Sequence, residues 1–193
     1  MSEHPPFTTE APDGFYAQTL DAALEAPGPE VTFATEKLEG RQRRIVAEID
    51  IPCEIDRVWR VLTDYERLAD FIPNLTKSQK LPHPQGGIRL EQVGAQCFLN
   101  VKFCARVVLD MVERFPQEVG FSMVEGDFRQ FEGAWRLEPI QLAGQAGTHL
   151  CYDLRLTPPR VMPTGLIEKH FRRDLTLNLK AICDRTLTLS TNG

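Results

Sequence analysis

The sequence predicts an α+β domain in which a curved antiparallel sheet of about seven strands folds around one long C-terminal helix. Three observations carry that reading. Much of the stretch 43–157 alternates apolar and polar residues with a period of two, the pattern of half-buried strands. From about Thr164 the period becomes helical and holds for some two dozen residues. Such a sheet cannot shelter its apolar face alone, and that helix is the only element large enough to fill it.

The elements follow in order. Ile45, Ala47, Ile49 and Ile51 mark the first strand, and Pro52 ends it. Ile55, Val58, Trp59 and Leu62 then fall at i, i+3, i+4 and i+7, with Glu54 and Asp56 where the helix dipole favours acids. A second short helix covers Tyr65 to Phe71 and stops at Pro73-Asn74. Strands are expected at 75–81, 88–95, 99–115, 119–125, 129–138 and 148–157. The run 99–115 is the longest, and at about 3.4 Å per residue it must bend around a core. Pro158-Pro159 breaks the last strand. In the final helix Ile167, Phe171, Leu175, Leu179, Ile182 and Thr186 form the apolar stripe, while Glu168, Lys169, Arg172, Arg173, Asp174 and Lys180 are expected on the other faces.

Composition sets limits on function. The chain has 193 residues, 42% of them hydrophobic, with eleven Phe, enough for a substantial core. Its net charge is −5, and residues 1–40 hold eight acids against the single base Lys37. Residues 1–42 therefore read as an acidic, Pro/Gly-rich extension and residues 43–189 as the ligand-binding domain. Within the extension Tyr16, Leu20, Ala23 and Leu24 keep helical spacing after Asp13, either as a docked helix or as a marginal one. No cationic face suits DNA, and the acidic segment disfavours RNA. No apolar run is long enough to span a bilayer, and the start lacks the features of an export signal, so a cytoplasmic protein is expected.

Five scattered cysteines without a CxxC pair read as reduced thiols. The histidines are dispersed, so no metal is expected, and no nucleotide-binding or nucleophile-elbow motif calls for a cofactor.

The inward parities define a candidate cavity. Its walls are Leu99, Val101, Phe103, Val107, Leu109, Phe121, Met123, Phe131, Trp135, Tyr152 and Leu154 from the strands, with Phe171 and Leu175 from the helix. Glu113 falls on the inward parity of an apolar strand, where a lone carboxylate is costly. It is read either as a strand-end residue near the rim or as a polar anchor acting with Tyr152. Val161, Met162 and Leu166 beside Arg172 and Arg173 form a candidate surface for transient contact with an anionic membrane.

Specific residues also carry a family resemblance. They are Ile51-Pro52, Val58-Trp59-Arg60-Val61-Leu62-Thr63-Asp64-Tyr65, Leu68, Phe71-Ile72-Pro73-Asn74-Leu75, Glu125-Gly126-Asp127-Phe128 and Phe131-Glu132-Gly133-Ala134-Trp135. Over residues 43–187 the chain resembles the START-related helix-grip (SRPBCC, Bet v 1-like) superfamily, in particular its polyketide cyclase/dehydrase and coenzyme Q-binding branch. The resemblance implies a cavity for a lipid, quinone or polyketide. A non-catalytic carrier of a lipid or isoprenoid quinone is the first expectation. A cyclase/dehydrase using Glu113 and Tyr152 is the alternative, and a ribosome- or protein-interaction module is a further one.

Overall fold

The computed structural model describes residues 28–98, 101–160 and 164–191, without the side chains of 95–98, 101–103, 164–170 and 190–191. The candidate helix at 14–26 lies outside the described residues.

Eight strands form one antiparallel sheet: β1 (Val31–Lys37), β2 (Arg43–Ile51), β3 (Leu75–Leu81), β4 (Ile88–Phe98), β5 (Val101–Arg114), β6 (Glu118–Gly126), β7 (Gln130–Leu142) and β8 (Gln145–Thr157). Their spatial order is β1-β2-β8-β7-β6-β5-β4-β3. Helix α1 (Ile55–Thr63) and a 3-10 helix (Tyr65–Asp70) carry the chain from β2 to the far edge, and β3 to β8 then return as a meander. Helix α2 (Thr164–Thr191) closes the fold. No helix among the described residues is long and apolar enough to cross a membrane.

The sheet has one strand more than the period-two pattern suggested. β1 comes from the segment read as an extension, and it pairs along β2 from Val31 opposite Ile49 to Lys37 opposite Arg43. As an edge strand, β1 is covered by the sheet on one side only, and its burial is shallow, so its sequence carries little of the strand signal. The expected strand 99–115 proves to be β5 alone, with Leu99 and Asn100 outside the described residues. Phe115 lies past its end, 65% exposed, with its ring edge 5.3 Å from Trp59.

The two faces of the sheet follow the parity of the sequence. Ile45, Ile49, Ile51, Leu137, Leu150, Leu154 and Leu156 are almost completely buried on the concave side, in one core cluster with Leu175, Leu179, Ile182 and Cys183 of α2. On the other face charges alternate in sign across neighbouring strands. Asp153 of β8 accepts paired bonds at 2.9 Å from Arg44 of β2 and one at 3.0 Å from Arg136 of β7. The hydrogen bonds from Arg44, joined by Arg136, hold the Asp153 carboxyl below the usual range. Glu36 on β1 lies 3.8 Å from Arg44, and Glu118 on β6 lies 3.4 Å from Arg136, so the ladder spans five strands. A second run links Lys77, Glu91, Arg106 and Glu125 across β3 to β6. A one-residue slip in any strand would break these pairs and turn the apolar set outward.

Curvature depends on a close approach in the middle of the sheet. A Cβ at Gly133 would lie 2.1 Å from the Asp153 carbonyl oxygen and 2.8 Å from Cζ of Phe121. The missing side chain lets β7 and β8 draw together beneath the Phe121 ring. Gly133→Ala should therefore destabilise the fold by on the order of 3 kcal/mol in urea unfolding. Gly40→Ala, in a turn at φ +59° with nothing within 4 Å, should cost about 1 kcal/mol. Equal losses at the two sites would refute the packing account.

Candidate functional site

Helix α2 does not seal the whole concave face. Beside its middle turns the core opens into a cavity of about 220 Å³. Phe171, Asp174, Leu175, Asn178 and Ile182 of α2 form one side. Their spacing of three and four residues puts all five on one helix face. The sheet contributes Leu90, Gln92, Val107, Leu109, Met111, Val119, Phe121, Phe131, Trp135 and Tyr152. Leu62, Tyr65, Leu68 and the loop Ile72-Pro73-Asn74-Leu75 complete the wall.

One side of the cavity is a continuous run of aromatic rings. Phe128 lies 5.3 Å from Phe131, Phe131 lies 5.7 Å from Phe121, Phe121 stacks on Tyr152 at 5.7 Å, and Tyr152 lies 4.1 Å from Trp135. These rings come from β6, β7, β8 and the β6–β7 turn, so their adjacency is a product of the sheet register. Burial pushes the Tyr152 hydroxyl well above its usual range, so it stays protonated.

The other side holds the polar groups. Pro73 ends the segment after the 3-10 helix, and Asn74 takes φ 64°, a left-handed conformation that Asn tolerates better than most residues. This bend aims the Asn74 amide at α2, where it donates to Asp174 Oδ1 at 3.2 Å. The Asn178 amide nitrogen donates in turn to the Asp174 carbonyl at 3.1 Å and to the Pro73 carbonyl at 3.3 Å. The loop is thus clamped to the helix across the cavity wall. Burial pushes the Asp174 carboxyl up to about 6, against the lowering effect of Arg173.

Eight of the sequence-predicted wall residues line this cavity: Val107, Leu109, Phe121, Phe131, Trp135, Tyr152, Phe171 and Leu175. Leu154 instead packs in the closed core, fully buried. Met123 lies on the core periphery, because the β5–β6 register shifts between Val108 and Leu109 and carries that end of β6 past the cavity. Leu99, Val161 and Met162 lie outside the described residues, as do the side chains of Val101, Phe103 and Leu166. Arg172 lies over the Phe33 ring at 4.7 Å, and Arg173 buries guanidinium nitrogens in the protein.

The polar anchor needs correcting. Glu113 is exposed near the end of β5, beyond Met111, and is not part of the cavity wall. It accepts a 2.7 Å hydrogen bond from the hydroxyl of Tyr65, which is itself buried. The rim position explains why a carboxylate is tolerated at inward parity. The cavity's carboxylate is Asp174, which had been expected on an outer face of the helix. Its i+3 relation to Phe171 and i+4 relation to Asn178 carried the signal. Among the described residues no cluster of His, Cys, Asp or Glu could hold a metal ion.

Comparison with known proteins adds an independent line. The family model for polyketide cyclase / dehydrase and lipid transport matches residues 51–183. No curated protein matches the sequence significantly. Solved structures that resemble the chain include the Streptomyces Zhui aromatase/cyclase, with 16% identity, a TM-score of 0.62, and coverage of 75% of this chain and 93% of that one. A START superfamily protein from Mycobacterium smegmatis aligns at 15% identity and a TM-score of 0.63, over 76% of this chain and 98% of that one. A STAR-related lipid transfer protein fragment from Xanthomonas axonopodis aligns at 16% identity and a TM-score of 0.64, over 83% and 96%. At these identities the likenesses establish the helix-grip fold.

The raised value of Asp174 has a consequence for stability. Its folded value of about 6 lies above the ordinary 3.8, so folding penalises the ionised form. Stability from this group is complete below about pH 4 and is lost as pH rises through 6. Asp174→Asn cannot ionise, so its stability relative to wild type should rise by on the order of 2–3 kcal/mol between pH 4 and 7 in urea unfolding. A difference independent of pH would show that the carboxyl is not desolvated in solution.

Proposed function

We propose that this chain, which belongs to the polyketide cyclase / dehydrase and lipid transport family, binds and carries a hydrophobic small molecule, a lipid or isoprenoid quinone, in the cavity between α2 and the sheet. The observation that carries the reading is the unbroken aromatic wall from Phe128 to Trp135 facing a polar edge at Asp174. Rings at these separations bury a flat or branched apolar body well, and a small polar edge fixes its orientation. The core is sealed on the far side of the cavity, so ligand burial costs no exposure of the remaining core.

A second reading, a cyclase/dehydrase, rests on a different observation. Asp174, raised to about 6, and the protonated Tyr152 line the same cavity and could hold or move a proton on a polyketide-like substrate. In that case Asp174→Asn would keep binding but abolish conversion.

Native mass spectrometry of freshly purified protein tests the carrier. The wild type is expected to retain a small-molecule adduct, or to take up a short-chain quinone or a fatty alcohol when offered one. Ala105→Trp, which fills the cavity from β5, is expected to remain folded and empty. A wild type that stays empty and accepts nothing would sink the carrier reading.

A further inference from the structure

The polar edge of the cavity consists mainly of acceptors. Asn74 commits its amide nitrogen to Asp174 Oδ1 at 3.2 Å. Asn178 points its nitrogen at two backbone carbonyls, at 3.1 and 3.3 Å, and keeps its Oδ1 as the group it can offer. Gln92 engages its nitrogen with Ser78 Oγ at 3.3 Å. Tyr65 gives its proton to Glu113 at 2.7 Å. The ionised Asp174 carboxylate accepts only, and its two oxygens offer about four lone-pair positions. Among the described residues that line the cavity none is Lys, Arg or His. Tyr152 alone keeps a hydroxyl proton to donate.

We propose that the cavity selects ligands whose polar head donates hydrogen bonds, an aromatic or alicyclic hydroxyl or the reduced, hydroxyl form of a quinone, over heads that only accept or are anionic. The proposal rests on the carrier reading and narrows it. A donating head gives Asp174 and Asn178 the hydrogens that water supplied before the ligand entered. A head with only acceptors displaces that water and returns little, leaving desolvated oxygens unmet. A carboxylate or phosphate is worse, because it sets a second negative charge near Asp174 in a poorly solvated site with no described cation to offset it.

Isothermal titration calorimetry on the full chain tests this at pH 8, where Asp174, raised to about 6, is still ionised. Three probes share one ring system: 2-naphthol, 2-methoxynaphthalene and 2-naphthoate. The naphthol is expected to bind at least about tenfold more tightly than the methyl ether, and the naphthoate more weakly than either. In Asp174→Leu, checked for folding by circular dichroism, the advantage of the naphthol should shrink to about threefold or less. The wild-type comparison decides the matter even if that variant fails to fold. Equal binding of naphthol and ether, or tightest binding of naphthoate, would overturn the head-group inference and leave the carrier reading standing. If none of the three probes binds, the cavity does not receive ring compounds and both readings fall.

Discussion

The apolar concave face of the sheet is the constraint on which the rest of the structure depends. Eight strands place their inward residues on one curved surface, and water must be kept from it. Helix α2 is the only long helix among the described residues, and its stripe from Leu175 to Cys183 joins the closed core. The surface it leaves uncovered becomes a cavity rather than solvent-exposed core, because α1, the 3-10 helix and the loop after it close the remaining side. Core and cavity are therefore two parts of one packing solution. Leu154 and Tyr152 are neighbours on the same face of β8, yet the first seals the core and the second faces the cavity.

Holding that face in shape depends on interactions elsewhere. The charged ladder from Glu36 to Glu118 fixes the register of five strands on the outer surface. Gly133 lets β7 and β8 approach closely enough to bend. The clamp between Asn74, Pro73 and α2 then sets how the helix lies across the opening. Each of these is polar or conformational, and none buries much apolar area. Their role is to select one arrangement among several that would satisfy the hydrophobic effect equally well.

Much of this architecture is legible in the chain because period two and period 3.6 are properties of local backbone geometry. Ile45 to Ile51, Val107 to Leu109 and Phe171 to Ile182 declare their faces without reference to any partner. Two kinds of feature escape such reasoning. Edge strands such as β1 need cover only part of one face, so their sequences are free to be polar. Bulges move residues across the parity line, as the shift near Val108 does for Met123, and no periodicity reveals them beforehand.

The polar residues show the division most clearly. Parity marked Glu113 as an inward carboxylate, but parity does not say how far along a strand the cavity extends, and Glu113 lies beyond it beside Tyr65. Asp174 sits at the edge of the helical stripe, where a small rotation of α2 decides between solvent and cavity. That rotation is fixed by the loop clamp and by packing against α1, β1 and β2, all remote in sequence. The sequence by itself determined the elements, their order and the apolar character of the enclosed face, since those follow from residue type and spacing. Only the tertiary structure decided which carboxylate meets the cavity, because that depends on where separate elements come to rest against one another.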